Sequence, residues 1–274
     1  MPRPADDAVA LVDPLAAAAA RLAAAGCESP RLDAELLLAE ILRTSRTGLY
    51  LRPPQPLEAS VRTRFERLVA RRADREPVAY ILGRKPFRRI EISVDRRVLI
   101  PRPETELLVE VGLELPRGAK VVDVGTGSGA VALALADERP DLELTGIDIS
   151  AGAIAAARAN ARRLGLDVSF VCGDLLVGGP YDAVLANLPY VEDGEELPPE
   201  IARFEPPGAL YGGADGLDVV RRLVALGRSV PVLALEVGAG QAGTVAELLR
   251  EAGFREPDRR RDLAGHERVV VGRR

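Results

Sequence analysis

The chain has few of the residues that build metal centres, disulfide frameworks or base-stacking surfaces. Its 274 residues include two cysteines, one histidine and no tryptophan, and aromatic residues make up 4%. Two cysteines are too few for a disulfide framework, and the spacing of cysteine and histidine does not match a metal site. The longest apolar runs fall well short of the roughly 20 residues that a membrane-spanning helix needs. We therefore expect neither a bound metal nor a transmembrane helix.

The charge balance argues against a protein that works mainly on nucleic acid. The chain carries 37 lysine and arginine residues against 41 aspartate and glutamate residues, a net charge of -4. A strongly basic surface usually accompanies nucleic-acid binding, and this composition does not supply one. The N-terminus also lacks the basic and then apolar order of a secretory signal. We expect a cytoplasmic monomer that does not bind nucleic acid directly.

Apolar residues recur at helical spacing through the first third of the chain. Asp13-Pro14 and Ser29-Pro30 are helix-start signals, and Gly26 is a helix-stop signal. Helices are predicted over residues 14–26, 30–42 and 57–72, with a shorter helical piece over 44–51. These segments predict a small N-terminal helical domain, residues 1–85.

The pattern changes after Gly83 and Pro86, which interrupt the helical periodicity. Residues 90–94 and 97–100 read as two short strands around a turn at Asp95-Arg96, so a β-hairpin linker is predicted within residues 86–104. From Lys120 onward, strand-like and helix-like segments alternate. That alternation predicts a parallel sheet with helices on both faces, in a domain formed by residues 105–274.

A glycine-rich turn follows the first strand of this larger domain, and its residues are Gly125, Thr126, Gly127, Ser128 and Gly129. Glycine permits positive φ and close approach of a ligand, while the following helix N-terminus offers free amide groups. Asp148 ends the next strand about 20 residues later, where Rossmann-like folds bind ribose hydroxyls. Together the turn and the acid indicate a cofactor that contains a nucleoside.

The finer spacing separates two cofactor classes. The turn is G-x-G-x-G instead of G-x-G-x-x-G, Asp123 precedes it, and Gly173-Asp174 closes the third strand. This set resembles class I S-adenosylmethionine methyltransferases, in which the first acid lies near the methionine moiety and the residues after strand three border the adenine. The resemblance implies S-adenosylmethionine as the cofactor. For Asp174 the structural alternative is a helix N-cap.

Asn187, Leu188, Pro189 and Tyr190 end the fourth strand, at the edge where open α/β sheets bind ligands. An N-x-P-Y loop resembles the signature of methyltransferases that act on planar nitrogens, either the adenine amine or an amide. Such a nitrogen is a poor nucleophile because its lone pair is delocalised. We hypothesise that the Asn187 side-chain oxygen and the Leu188 carbonyl accept its two hydrogens, while Pro189 stiffens the loop and Tyr190 stacks on the flat group. A simple strand-ending turn is the alternative.

Segments along nearly the whole chain resemble the release factor glutamine methyltransferase family (HemK or PrmC). They are residues 29–36, 76–83, 98–106, the glycine turn, 187–190, 205–206 with 212–217, 236–238 with 241, and 262–265 with 268–270. Among them, residues 100–106 are the most family-specific. The resemblance implies a helical N-terminal domain, a seven-stranded Rossmann-like methyltransferase sheet, and methylation of the glutamine in the Gly-Gly-Gln loop of peptide chain release factors.

The same resemblance implies where the ligands bind. It puts the cofactor on the glycine turn, Asp148 and Asp174-Leu175, and the acceptor amide on Asn187 to Tyr190. It also implies a cleft between the two domains that receives the partner's loop. Segment 101–106 either helps to close over the cofactor or only packs the domains. Glu236 could border the acceptor site, but capping or pairing with an arginine is the expected role.

One residue departs from the family pattern. The usual loop is Asn-Pro-Pro-Tyr, whereas this chain has Leu188 at the second position. The backbone carbonyl survives the change, but Asn-Leu-Pro-Tyr is also the form seen in ribosomal RNA adenine dimethyltransferases. N6 of adenine in RNA or DNA is therefore the alternative acceptor, against which the acidic composition and the scarcity of aromatics weigh. A cofactor-binding regulatory module without enzyme activity would not need the acceptor loop.

Overall fold

The computed structural model describes residues 14–51 and 57–274, and it divides into two compact units. The first unit holds the described residues up to Leu82 together with Pro199–Phe204. The second unit holds Gly83–Pro198 and Glu205–Arg274, and so contains the glycine turn and the acceptor loop. Residues 1–13 of the predicted helical domain lie outside the described part of the chain.

The first unit is helical, as the sequence predicts. Its elements are α1 (Pro14–Ala24), α2 (Pro30–Ile41), α3 (Arg46–Tyr50), α4 (Ala59–Ala73) and α5 (Val78–Leu82). The four predicted helices are confirmed to within two residues at each end. Leu22, Leu37 and Phe65 are among the side chains buried between α1, α2 and α4. The apolar residues that recur at helical spacing in the sequence are therefore the residues that pack in the core of this unit.

A buried ion-pair network adds a distant segment to this unit. Helix α9 (Pro199–Ala202) lies in the segment Pro199–Phe204, and its Glu200 accepts hydrogen bonds from Arg72 at 3.0 Å and from Arg75 at 2.6 Å. Arg72 also donates to Asp33 at 2.7 Å. Because buried charges are costly unless they are paired, these contacts tie the segment firmly to α4.

The β-hairpin lies earlier in the chain than predicted. Its strands are β1 (Arg84–Phe87) and β2 (Ile90–Ser93), which pair antiparallel, and residues 97–100 form no strand. The predicted strand over residues 90–94 corresponds to β2, and a turn does follow it, in which the Val98 amide donates to the Asp95 carbonyl at 3.1 Å. The predicted second strand is wrong, so this turn does not join a hairpin. Pro86 was expected to interrupt structure, but a strand in a two-stranded sheet has one unpaired edge, where a missing amide hydrogen costs nothing.

The second unit is built on a seven-stranded mixed sheet, which confirms the predicted fold class. Its strands are β3 (Lys120–Val124), β4 (Glu143–Asp148), β5 (Ser169–Cys172), β6 (Ala183–Ala186), β7 (Val232–Glu236), β8 (Arg255–Arg261) and β9 (Glu267–Arg273). They lie in the order β5-β4-β3-β6-β7-β9-β8. The first five strands are parallel, but β9 runs antiparallel to β7 and to β8. A short turn joins β8 to β9, and a parallel pair would need a long crossover instead.

Five helices accompany this sheet in the chain. They are α6 (Glu106–Leu113), α7 (Ala130–Glu138), α8 (Ala151–Leu164), α10 (Asp218–Leu226) and α11 (Ala242–Glu251). The sequence pattern predicts α7, α8 and α11 but not α6 or α10. In the part of the chain that the structure describes, no helix is both long and apolar enough to cross a membrane.

The strand order creates the place for a binding site. Strand β3 lies between β4 and β6, so the connections from β3 and from β5 leave the sheet in opposite directions. In open α/β sheets a crevice forms at such a switch point, outside the carboxyl ends of the strands. The glycine turn follows β3 there, and the acceptor loop follows β6.

Candidate functional site

A cavity of about 400 Å³ opens at this switch point. Eight of the predicted site residues line it: Gly125, Gly127, Asp148, Asp174, Leu175, Asn187, Leu188 and Pro189. The other predicted residues, Thr126, Ser128, Gly129 and Tyr190, do not. Parts of the wall that were not predicted as site residues come from residues 97–99, Ser150, Ala153, Pro206, Gly208, Ala209, Val219 and Arg222.

The glycine turn and the acceptor loop meet across this cavity. Gly125 has φ +72°, and a Cβ built on it would lie 3.2 Å from both the backbone oxygen of Asn187 and the Cδ2 of Leu188. The turn itself is fastened to β4, because the amides of Gly125 and Thr126 donate to the carbonyl of Ile147 at 2.9 and 3.0 Å. A side chain at position 125 would therefore push against the tip of β6.

Asp123 stabilises the glycine turn through hydrogen bonds. It is buried, and it accepts hydrogen bonds from the Thr126 hydroxyl at 2.6 Å and from the Ala132 amide at 3.3 Å. Burial raises the pKa of its carboxyl group to about 6, although these hydrogen bonds oppose the rise. Asp123 does not line the cavity, so its contacts shape the turn.

Gly129 serves the packing of the turn. It has φ +82° at the start of α7, and a Cβ there would lie 3.1 Å from the Phe170 ring and 3.2 Å from Ala157. Ser128 is buried, and its carbonyl accepts a hydrogen bond from Asn160 at 3.0 Å. These residues set the path of the backbone and leave Gly125 and Gly127 to face the cavity.

Asp148 is held at the cavity wall by two backbone amides. Gly127 donates to one carboxylate oxygen at 2.9 Å, and Ser150 donates to the other at 2.8 Å. An ionised carboxylate has about four acceptor sites, so two remain for further donors. The arrangement suits a ligand that carries paired hydroxyl groups.

Asp174 and Leu175 also line the cavity. Asp174 accepts a hydrogen bond from Arg222 at 2.5 Å, and both side chains are about half exposed. The next element after β5 is strand β6, so the alternative role of Asp174 as a helix N-cap is wrong. Leu175 is buried and has φ +57°. An exposed ion pair of this kind contributes little to stability, so Arg222 leaves Asp174 accessible to a ligand.

Asn187 is oriented by a hydrogen bond from its amide nitrogen. Its Nδ2 donates to the hydroxyl of Thr105 at 3.0 Å, and the residue lines the cavity. The nitrogen is engaged, so the side-chain oxygen is the atom that remains to accept from a ligand. The Leu188 side chain is buried in the apolar core with Val124 and Ala186.

Tyr190 follows Pro189 in the acceptor loop and is partly buried. Burial first, and then the nearby charge of Glu236, raise the pKa of its hydroxyl group to about 12. The phenol is therefore neutral at physiological pH. Its backbone oxygen accepts from Gln241 Nε2 at 3.0 Å.

The glycine-rich segment 212–216 packs directly against the backbone of the acceptor loop. The Gly212 amide donates to the carbonyl of Val191 at 2.9 Å. A Cβ on Gly212 would overlap the backbone oxygen of Pro189, and a Cβ on Gly216 would overlap that of Tyr190. Only glycine allows this close approach, which explains the Gly-Gly-Ala-Asp-Gly run.

Glu205 joins two walls of the cavity. Its buried carboxylate accepts from the Ile100 amide at 3.1 Å and from Arg102 at 2.6 Å. Residues 97–99 precede these donors, and Pro206 follows the acceptor. The segment 101–106 contributes no residue to the cavity lining, but its Thr105 contacts Asn187.

Glu236 differs from its expected role. It is 2% exposed, and no ion pair with it is found among residues 14–51 and 57–274, so the expected arginine partner is wrong. Burial raises the pKa of its carboxyl group to about 7. Its Oε2 atom has no hydrogen-bond partner within the described structure.

The described residues hold no group of acidic, histidine and cysteine side chains suited to a metal ion.

Comparison with known families identifies both parts of the chain. Residues 13–83 match the PrmC N-terminal domain, and residues 103–203 match the methyltransferase small domain. A release factor glutamine methyltransferase of Rhodospirillum rubrum is 42% identical over 93% of this chain and 82% of its own length. That of Deinococcus radiodurans is also 42% identical, over 96% of this chain and 98% of its own length.

Solved structures share the fold at lower identity. The hMettl16 catalytic domain, in complex with a MAT2A 3'UTR hairpin, has a TM-score of 0.55 at 16% identity and covers 75% of this chain and 81% of its own. The Thermus thermophilus RsmC methyltransferase, in complex with AdoMet and guanosine, has a TM-score of 0.51 at 19% identity and covers 70% of this chain and 49% of its own. At these identities the likeness concerns the Rossmann-like fold alone.

Proposed function

The chain belongs to the release factor glutamine methyltransferase family, and from this premise we propose that it methylates the side-chain amide nitrogen of a glutamine in a peptide chain release factor. The glutamine is that of the Gly-Gly-Gln loop, and S-adenosyl-L-methionine is the methyl donor. The observation that carries the proposal is the meeting of the acceptor loop with the glycine turn: the Asn187 backbone lies against Gly125 at the wall of one cavity.

The cavity residues fit this cofactor. We propose that Gly125 to Gly129 form the turn that receives it, that Asp148 accepts from the ribose hydroxyls, and that Asp174 and Leu175 border the adenine. The open acceptor sites on Asp148 and the close backbone approach at Gly125 support this assignment. When bound, the cofactor supplies a methyl group on a positively charged sulfur.

We further propose that the acceptor loop activates the amide by positioning it. The Asn187 side-chain oxygen and the Leu188 carbonyl accept the two amide hydrogens, which turns the nitrogen lone pair toward the methyl group. Pro189 restricts the loop, and neutral Tyr190 lies against the flat amide. As the N–C bond formed, the bond between the methyl carbon and the sulfur would break with its electron pair staying on the sulfur, and one of the two amide hydrogens would leave as a proton to water. Holding the reacting atoms in line can contribute roughly 7 to 11 kcal/mol.

Labelled cofactor tests the substrate directly. Incubation with a release factor is expected to place the label on its loop glutamine, and incubation with ribosomal RNA is expected to place none. A release factor with glutamate at that position should lose about 10⁴-fold or more in rate, because glutamate lacks the two hydrogens that the site accepts. Label on adenine would overturn the substrate assignment while leaving the cofactor assignment in place.

Asp148→Asn is expected to weaken cofactor binding by tenfold to 100-fold, roughly the effect of removing a charge-assisted hydrogen bond. Titration calorimetry with the cofactor measures the change in Kd. Asp137→Asn is the control, because Asp137 is exposed on α7 and does not line the cavity. Equal affinities in the two variants would remove Asp148 from the cofactor site.

The helical unit and the net charge bear on how the enzyme meets its partner. We propose that the helical first unit, the predicted domain 1–85, contributes surface for the release factor, and that the enzyme works as a cytoplasmic monomer without binding nucleic acid directly. The net charge of -4 supports the last point. The names of the relatives favour glutamine over adenine as the acceptor despite Leu188.

A further inference from the structure

Two walls of the cavity are formed by stretches of chain outside the sheet and the longer helices. Residues 97–99 belong to no helix or strand, and Pro206, Gly208 and Ala209 lie in or beside one short 3₁₀ turn. Backbone groups in such segments lack the regular partners that a helix or a sheet supplies. Other contacts must therefore hold these two walls in place.

The Glu205 side chain connects the two walls. It is 1% exposed, and its two carboxylate oxygens accept from the Ile100 amide at 3.1 Å and from Arg102 at 2.6 Å. Ile100 directly follows residues 97–99, and Glu205 directly precedes Pro206. Hydrogen bonds to a carboxylate that is paired with an arginine are stronger than those between neutral groups. One buried side chain thus sets the spacing of both walls.

The far end of the second wall is held separately. Leu210 follows this wall, and its carbonyl accepts from the Val191 amide at 2.9 Å. Tyr211 forms a β-bridge with Val191, which follows Tyr190 of the acceptor loop. These contacts do not involve Glu205. Loss of the Glu205 hydrogen bonds would therefore release the cavity walls at one end and leave the support of the acceptor loop in place.

We propose that Glu205 is a positioning residue that holds both walls in the arrangement that binds S-adenosylmethionine. The inference rests on the proposed cofactor site in this cavity. Glu205 does not line the cavity, so it acts through the residues on either side of its hydrogen bonds. Without the carboxylate, the buried Ile100 amide loses its partner, and the walls separate in a fraction of the molecules.

Glu205→Gln tests this role with little change of shape. Glutamine offers one accepting oxygen in place of two and no charge for Arg102. Kd for S-adenosylmethionine should rise by roughly tenfold to 100-fold, because the apparent affinity falls with the fraction of molecules that have both walls in place. At saturating cofactor, kcat should change by less than about threefold, because the bound cofactor selects the closed arrangement. Titration calorimetry and steady-state kinetics measure the two constants.

Glu138→Gln is the matched control for stability. The Glu138 side chain is 4% exposed and accepts from Arg88 at 2.8 and 2.9 Å, but it does not line the cavity or join its walls. Both variants should lower the unfolding midpoint, because each leaves an arginine without its carboxylate partner. Only Glu205→Gln should raise Kd. A similar rise in Glu138→Gln would show that lost stability alone weakens binding, and the inference would fail.

Arg102→Gln provides a second variant that keeps the bond between Glu205 and Ile100. The Arg102 side chain is 28% exposed, so its replacement should disturb folding less than that of Glu205. Kd should rise by about threefold to tenfold, since one of the two contacts remains. The double variant should bind within about twofold of Glu205→Gln, because both changes break the same contact. If the two single effects multiplied instead, Arg102 would not act through Glu205 and the proposed connection would be wrong.

Amide hydrogen exchange in the cofactor-free protein tests the connection without turnover. The Ile100 amide should exchange at least about tenfold faster in Glu205→Gln than in the wild type, while the Leu185 amide in the central strand β6 should not change as much. An unchanged rate at Ile100, or an unchanged Kd, would overturn the inference. If the wild type bound S-adenosylmethionine but did not methylate a release factor, only the proposed substrate would be wrong.

Discussion

Replacement of Asn187 by alanine is expected to lower kcat by about 10³-fold, the size of effect seen when one preorganised polar contact to the reacting group is removed. The orientation of the asparagine oxygen is fixed by the hydrogen bond from its own Nδ2 to Thr105. Without it, an amide hydrogen loses its partner and the lone pair is no longer aimed. Kd for the cofactor should change by less than about threefold, because Asp148 and the glycine turn are untouched.

Asn160 provides the contrast for this prediction. Its amide is also buried, and it bonds the backbone of Ser93 and the carbonyl of Ser128. Asn160→Ala should therefore lower the unfolding free energy by about 1 to 3 kcal/mol, as expected for buried backbone groups left unpaired, and reduce kcat far less than Asn187→Ala does. Steady-state kinetics, calorimetry and thermal unfolding on both variants make the comparison. An Asn187→Ala enzyme within tenfold of the wild-type kcat would show that the asparagine does not act on the acceptor.

Gly216→Ala is expected to produce the second large loss, through the backbone of the acceptor loop. A Cβ at this position would overlap the carbonyl oxygen of Tyr190 and approach Gln241, which also bonds that oxygen. The residue has φ +72°, which alanine adopts at a further cost of roughly 1 kcal/mol. The loop must move to make room, and a displacement of about 1 Å at the reacting group can cost 100-fold in rate.

Gly243→Ala is the matched control for Gly216→Ala. Gly243 lies in α11, and no atom lies within 4 Å of the Cβ that alanine would add. That substitution should leave kcat unchanged and stabilise the helix by up to about 1 kcal/mol. Steady-state kinetics and thermal unfolding measure both effects. If the two alanine variants behaved alike, the close approach of Gly216 to Tyr190 would have no part in holding the loop.

Local sequence patterns predicted most of the elements, because a helix or a buried strand imposes its own period on the residues it contains. Residues 151–164 are the clearest case, where the predicted helix and α8 coincide. The hairpin was misplaced because residues 98–100 are apolar for a different reason. Val98 and Ile100 are buried in a segment that contributes residues 97–99 to the cavity wall and forms no strand.

The site could be predicted only as far as its motifs are contiguous. The glycine turn follows β3, Asp148 ends β4, and the acceptor loop follows β6. Because these strands are parallel, their pairing brings all three features to one edge of the sheet. The walls formed by residues 97–99 and by Pro206 depend on Glu205, whose partners lie about 100 residues earlier in the chain. No local sequence pattern predicts the contacts of Glu205 with Ile100 and Arg102. Nor does any local pattern predict that Glu236 is buried without an arginine ion pair in the described structure.

The ion pairs of Glu200 have a consequence for attempts to isolate the catalytic half of the enzyme. The polypeptide leaves the second unit at Pro198, contributes α9 to the helical unit, and returns at Glu205, one residue before a wall of the cavity. A truncated fragment that began at Gly83 would lack Arg72 and Arg75. Glu200 would then lose these ion-pair partners, and the segment Pro199–Phe204 would no longer be held by α4 and Arg75. The two units are thus interleaved in sequence, and cutting between them would loosen a stretch that precedes the cavity residue Pro206 in the chain, even though no cavity residue had been removed.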